Sequence, residues 1–141
     1  SSSENKEDEA KSFGADHFVN SLDSDSLEKI AGSLDFILST VNVPLNWTAY
    51  INALRPKGRL HIVGAVVEPI PVPVFPLLLG QKSISASPLG SPNSMMVMLE
   101  FAARHHIEPM VETFPMDKVN DAMEKLRSRE PRYRLVLKNE N

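Results

Sequence analysis

Two strand-like runs, the nearly continuously apolar LDFILSTV at residues 34–41 and RLHIVGA at 59–65, limit what this chain can fold into more than any other feature. A strand with one face in water alternates apolar and polar residues. A run that is apolar at almost every position is what a strand covered on both faces requires. Between the two runs, PLNWTAYINALRPKG reads as a helix starting at Pro44 and a turn at Arg55-Pro56-Lys57-Gly58. Strand, helix, strand is the unit of a parallel sheet, because parallel neighbours need a crossover and cannot be joined by a tight hairpin.

The alternation continues in both directions. Upstream, the sequence predicts a helix over Lys6–Phe13, a short strand at Asp16–Asn20, and a second helix, SDSLEKIAG, stopped by Gly32. Downstream, a proline-rich loop from Val66 to Pro76 leads to a strand at Ser83–Ser87. Ser91-Pro92 then caps a long helix through MMVMLEFAARHH. The last third reads strand (PMVETFP), helix (MDKVNDAMEKLRSRE) and strand (RYRLVLKN), with Val119, Ala122, Met123 and Leu126 forming one apolar stripe. The expected class is α/β with a doubly wound parallel sheet.

Composition narrows the function classes. With 141 residues, 42% hydrophobic and 23% charged, the chain has the material for a globular domain with a core. A net charge of -3 argues against a general nucleic-acid or anionic-membrane binder, so any anion site must be local. The absence of cysteine excludes disulfides and thiolate zinc ligands and suits a cytoplasmic protein. The most apolar stretch, PIPVPVFPLLLG, is broken by prolines and falls short of the roughly 20 residues of a membrane helix. The start carries no signal-peptide pattern, and its lack of methionine reads as a chain beginning partway into a larger protein.

No glycine-rich phosphate loop, no serine-histidine-aspartate grouping and no metal-ligand spacing is recognisable. His105 and His106 are neighbours on a helix, about 100° apart, and fit a solvated helix C-terminus better than a metal site. His17 and His61 fall within strands and read as packing residues. In a doubly wound sheet the ligand lies beyond the carboxyl ends of the strands. The positions to watch are therefore Ser39-Thr40-Val41, Val63-Gly64-Ala65 and Ser87-Pro88-Leu89. Gly64 admits two readings, close approach of a ligand or an easy exit from a strand.

In order, the opening SSSENK with KSFGADHFVNS, LDFILSTV, RLHIVGA, PLLLGQKSISASPLGS, MLEFAARHHIEP and PMDKVNDAMEKLRSREPRYRLVL resemble the C-terminal part of a zinc-dependent medium-chain alcohol dehydrogenase of the NADP-dependent cinnamyl-alcohol-dehydrogenase type. The resemblance covers essentially the whole chain. It implies a partial Rossmann NADP-binding domain lacking its first strands, residues 1–107. A strand-helix-strand tail of the catalytic, GroES-like domain would follow, residues 108–141.

It also implies roles. Ser1, Ser2 and Ser3 would hydrogen-bond the 2′-phosphate of NADP, with Lys6 supplying charge where NAD-specific relatives carry an acid. Thr40 and Val41 would lie on the ribose or adenine side, and Val63, Gly64 and Ala65 beside the nicotinamide. Ser87 and Leu89 would continue that contact through their backbone, while Pro88 has no N–H to give. Arg134 would reach the pyrophosphate. The zinc ligands and proton relay of the family belong to an N-terminal domain outside this sequence, so the chain alone is expected not to catalyse. In the intact enzyme hydride would pass between nicotinamide and an alcohol or aldehyde. The alternative is a non-catalytic truncated module for dimerisation or nucleotide binding. Without the first strands, apolar surface should be exposed, and a homodimer through residues 72–89 is expected.

Overall fold

The computed structural model describes residues 4–128 and 133–139. Its contacts divide the chain into two compact units, Ser1–Leu89 and Gly90–Asn141.

In the first unit a 3-10 turn, Glu4–Lys6, runs into helix α1, Glu7–Ser12. Glu7 and Lys11 form an ion pair across one turn of α1, 2.6 Å apart, and that contact holds the Lys11 amine above its ordinary value. Helix α2, Ser24–Lys29, starts where Asp23 accepts from the N–H of Asp25 and the hydroxyl of Ser26. Those hydrogen bonds, Ser26 first, hold the Asp23 carboxyl below its ordinary value. Gly32, at φ 67°, then turns the chain into β1, Leu34–Ser39.

Helix α3, Trp47–Ala53, follows. It starts three residues after the expected Pro44, because the Asn46 side chain takes the capping position and accepts from the N–H of Ala49. Strand β2, Leu54–Ile62, absorbs the expected turn as a bulge: Leu34 faces Leu54, yet Phe36 already faces Arg59. Lys57 carries the left-handed φ of 66° inside that excursion. Helix α4, Val74–Gly80, and strand β3, Ser83–Ala86, complete a three-stranded sheet in the order β1-β2-β3, parallel throughout.

The core lies on one face of this sheet. Trp47 and Ile51, one turn apart on α3, pack with Leu54, Leu60 and Ile62, and Ile37, Ile84 and Leu77 close around them. Ile51, Leu54 and Leu60 are fully buried, each contributing about 1.5–3 kcal/mol.

Two expectations fail here. Strand β1 is covered on one face only: Ile37 turns toward the core, but Phe36 and Leu38 are each 53% exposed. Residues 16–20 form no strand, and His17 there is exposed rather than packed. An extended segment becomes a strand only when it joins the ladder of a neighbouring strand, and neither sheet of the described residues includes this segment.

In the second unit, helix α5, Pro92–Arg104, is capped by Ser91, which accepts from the N–H of Ser94. Its Met95, Met96, Val97, Met98, Leu99 and Phe101 are all exposed. His105 and His106 lie just past its end and are solvated, as expected. Strands β4, Val111–Pro115, and β5, Arg134–Lys138, pair in parallel around helix α6, Val119–Arg127, whose Ala122 is buried. A Lys125–Glu112 ion pair ties α6 to β4.

Candidate functional site at the strand ends

Side chains of a strand alternate between faces, so the register of β1, β2 and β3 fixes which residues meet. Ile37, Leu60 and Ile84 line up on the covered face, and Leu38, His61 and Ser85 on the other. All three strands point the same way, so their carboxyl ends gather at one edge. There Thr40 and Val41 leave β1, Val63, Gly64 and Ala65 leave β2, and Ser87 leaves β3.

Gly64 is where two of these exits touch. A Cβ on it would sit 1.9 Å from the carbonyl oxygen of Val41 and 2.8 Å from the carbonyl carbon of Thr40, well inside contact distance. Of its two readings, strand geometry is sufficient: the backbone of the β1 exit already fills the space a side chain would take. The N–H groups of Val63 and Gly64 both donate to the Ser39 carbonyl, at 2.9 and 3.2 Å, which fixes the β2 exit against β1.

Between the β2 and β3 exits lies an open cleft of about 350 Å³, lined by Ile62, Val63, Gly64, Ala65, Ala86, Ser87 and Pro88. Small side chains leave the backbone accessible, which suits a flat ring that must approach the main chain. A second, smaller cavity of about 140 Å³ lies beside β1 and includes Ser39, Thr40, Val41, Trp47 and Tyr50 in its wall. The Ser39 hydroxyl there is buried, at 7% exposure, with no protein partner.

The N–H of Ser87 is taken by the Ile62 carbonyl at 3.2 Å, so a ligand would meet the carbonyl or side chain of this residue. Leu89 stands beyond the cleft, 94% exposed. Lys6 is exposed at the end of the 3-10 turn. Ser1, Ser2 and Ser3 lie outside the described residues. Arg134 is exposed on β5 of the second unit, opposite Val111.

The contacts of one residue were not legible in the sequence. His61, read as packing, hydrogen-bonds Ser85 Oγ through Nδ1 at 2.8 Å and Ser87 Oγ through Nε2 at 2.9 Å, and Phe36 stacks on its ring. The alternation in SISAS was the available signal, since it puts Ser83, Ser85 and Ser87 on one face.

Among the described residues no group of three or more histidine, cysteine, aspartate or glutamate side chains is arranged to hold a metal ion. No described helix is long and apolar enough to cross a membrane.

Residues 1–104 match the family model described as zinc-binding dehydrogenase. The chain belongs to this zinc-binding dehydrogenase family. An aldehyde reductase, AdhA, from Synechocystis sp. is 46% identical over 136 residues, covering 96% of this chain and 40% of the relative. Among solved structures, a cinnamyl alcohol dehydrogenase (SbCAD4) from Sorghum bicolor superposes with a TM-score of 0.88 at 33% identity, over 99% of this chain and 41% of that one. CAD from Helicobacter pylori, solved in complex with NADP(H), gives a TM-score of 0.78 at 27% identity, over 97% of this chain and 39% of that one.

These likenesses put this family member in the cinnamyl-alcohol-dehydrogenase-like subgroup of the zinc-dependent medium-chain alcohol dehydrogenases, with part of a Rossmann fold. The chain spans about two-fifths of the length of these relatives. Zinc does not fit the side chains described here, so no step through a metal is assigned to them.

Proposed function

We propose that this chain is the cofactor-binding portion of an NADP-dependent alcohol dehydrogenase or aldehyde reductase. The observation that carries the reading is the convergence at the carboxyl ends of three parallel strands, where Val63, Gly64, Ala65 and Ser87 line an open cleft and Thr40 and Val41 line the smaller cavity beside β1. The Helicobacter relative, solved with NADP(H), supports the choice of cofactor. Bound nicotinamide would supply hydride to an aldehyde or take it from an alcohol. The residues of this chain hold and orient it, and the zinc of the intact enzyme belongs to ligands outside this chain. By itself the chain is inactive in this reading.

Residues 1–107 form the nucleotide-binding part and 108–141 a piece of the catalytic domain. Val63, Gly64, Ala65 and Ser87 flank the nicotinamide, with Leu89 continuing that side, and Thr40 and Val41 lie toward the ribose or adenine. Arg134 serves the pyrophosphate. Ser1, Ser2, Ser3 and Lys6 receive the 2′-phosphate. Lys11 engages Glu7 in the helix that follows, which lessens the repulsion an anion would meet beside Lys6.

The protein is a cytoplasmic homodimer in this proposal. The exposed Val74, Phe75, Leu78 and Leu79 of α4, together with the β3 edge, support an interface within residues 72–89.

Titrating NADPH into the full chain by fluorescence tests the reading, with saturable binding expected. Lys6→Ala should weaken NADPH about tenfold, the loss of one charge-assisted contact, and NADH hardly at all. Equal effects on the two cofactors reject the 2′-phosphate role. A monomeric mass by light scattering at micromolar concentration rejects the dimer.

A further inference from the structure

We infer that His61 is a positioning residue for the strand-end cleft, holding the hydroxyl and main chain of Ser87 where a bound nicotinamide dinucleotide meets them. The inference rests on the cofactor reading above and adds to it a residue on the face of the sheet away from the core.

The two walls of the cleft are held differently. The β2 wall is tied to β1 twice, through the N–H groups of Val63 and Gly64 on the Ser39 carbonyl. The β3 wall leaves the ladder after one backbone bond, from the Ser87 N–H to the Ile62 carbonyl. Pro88, the next residue, has no N–H to donate, and Leu89 projects into solvent. The bond between His61 Nε2 and Ser87 Oγ, at 2.9 Å, is therefore the second tether of that wall. His61 is itself held: Ser85 Oγ engages Nδ1 at 2.8 Å, and Phe36 stacks at 6.3 Å between ring centroids. A wall fixed before the ligand arrives spares the ordering cost on binding.

The same bond sets what Ser87 offers. A neutral imidazole donates from one ring nitrogen and accepts at the other. With the proton on Nδ1, Ser87 donates its hydroxyl to Nε2 and keeps lone pairs for a ligand N–H. With the proton on Nε2, Ser87 accepts and its O–H is free for a ligand carbonyl. Either way one hydroxyl at the cleft is oriented by a side chain that does not line it.

The test is a fluorescence titration of NADPH into the full chain and its variants, alongside their thermal melts. His61→Leu and Ser87→Ala should each weaken NADPH by about tenfold, as expected for one hydrogen bond lost from a preorganised contact. The double variant should be no weaker than either single, since both remove the same link. His61→Gln, which keeps one polar end, should recover part of the affinity. It also carries the test, with Ser87→Ala, should His61→Leu fail to fold. Ser85→Ala should cost less than Ser87→Ala. Unchanged affinity in His61→Gln and Ser87→Ala, or losses that add in the double variant, would overturn the role of His61 and leave the cofactor reading standing. If melting temperature falls while affinity is unchanged, His61 only knits β2 to β3 and the inference is likewise lost. If the parent chain takes up no NADPH even at millimolar concentration, the cofactor reading and the inference fall together.

Discussion

On one face of the three-stranded sheet, Ile37, Leu60, Ile62 and Ile84 lie against Trp47 and Ile51. On the other, Phe36 and Leu38 stay half exposed beside His61, Arg59 and a row of serines. Both faces come from the same strands, offset by one residue. The covered face follows the hydrophobic rule and carries stability. The open face mixes aromatic, imidazole and hydroxyl groups that a core would not tolerate unpaired, and its hydrogen bonds run toward the strand-end cleft.

The sharpest way to break that contrast is to truncate one residue on each face. Leu60→Ala removes a fully buried side chain and should cost about 3 kcal/mol in urea unfolding. Leu38→Ala on the neighbouring strand should cost under about 1 kcal/mol, because roughly half of its surface is already in water. Comparable losses would mean that the open face is covered in solution.

At the end of the sheet, where the two faces meet, Gly64→Ala should cost about 2 kcal/mol, since its Cβ would meet the backbone of Val41 and cannot be relieved by a side-chain rotation. NADPH affinity should fall with it. Stability equal to the parent would show that the β1 exit moves aside.

The smallest expected effect concerns the amine on the covered side. Lys82 donates to the Ile51 carbonyl at 2.7 Å, and burial holds its pKa below the ordinary 10.5. The unfolded chain therefore keeps this proton to higher pH than the folded one. Stability should rise slightly as pH climbs from the lowered folded value toward 10.5. Melts of the parent against Lys82→Met across alkaline pH isolate this contribution, and a parent that loses stability relative to Lys82→Met over that window contradicts the sign.

Much of the fold was legible. The apolar runs gave β1 and β2, Ser91-Pro92 gave the start of α5, and the final strand-helix-strand came from its stripe. Less legible were features that depend on partners. Asp16–Asn20 has strand composition and forms none, because pairing is a property of two segments. Pro44 looked like a helix start, but the Asn46 side chain, two residues later, supplies the cap. Of the site, the strand ends were readable as positions, whereas their contacts were not: Ser87 spends its N–H on Ile62, and His61 turned from a packing residue into the partner of two serines.

By itself the sequence determined the α/β class, the family and the strand ends at which a ligand would sit, because apolar period, turn residues and motif order are local properties of a chain. The tertiary structure decided which face of β1 is covered, why residue 64 must be glycine, and that His61 meets Ser85 and Ser87 from 24 and 26 residues away. Those outcomes turn on register between strands, and a shift of one residue would send every side chain to the opposite face.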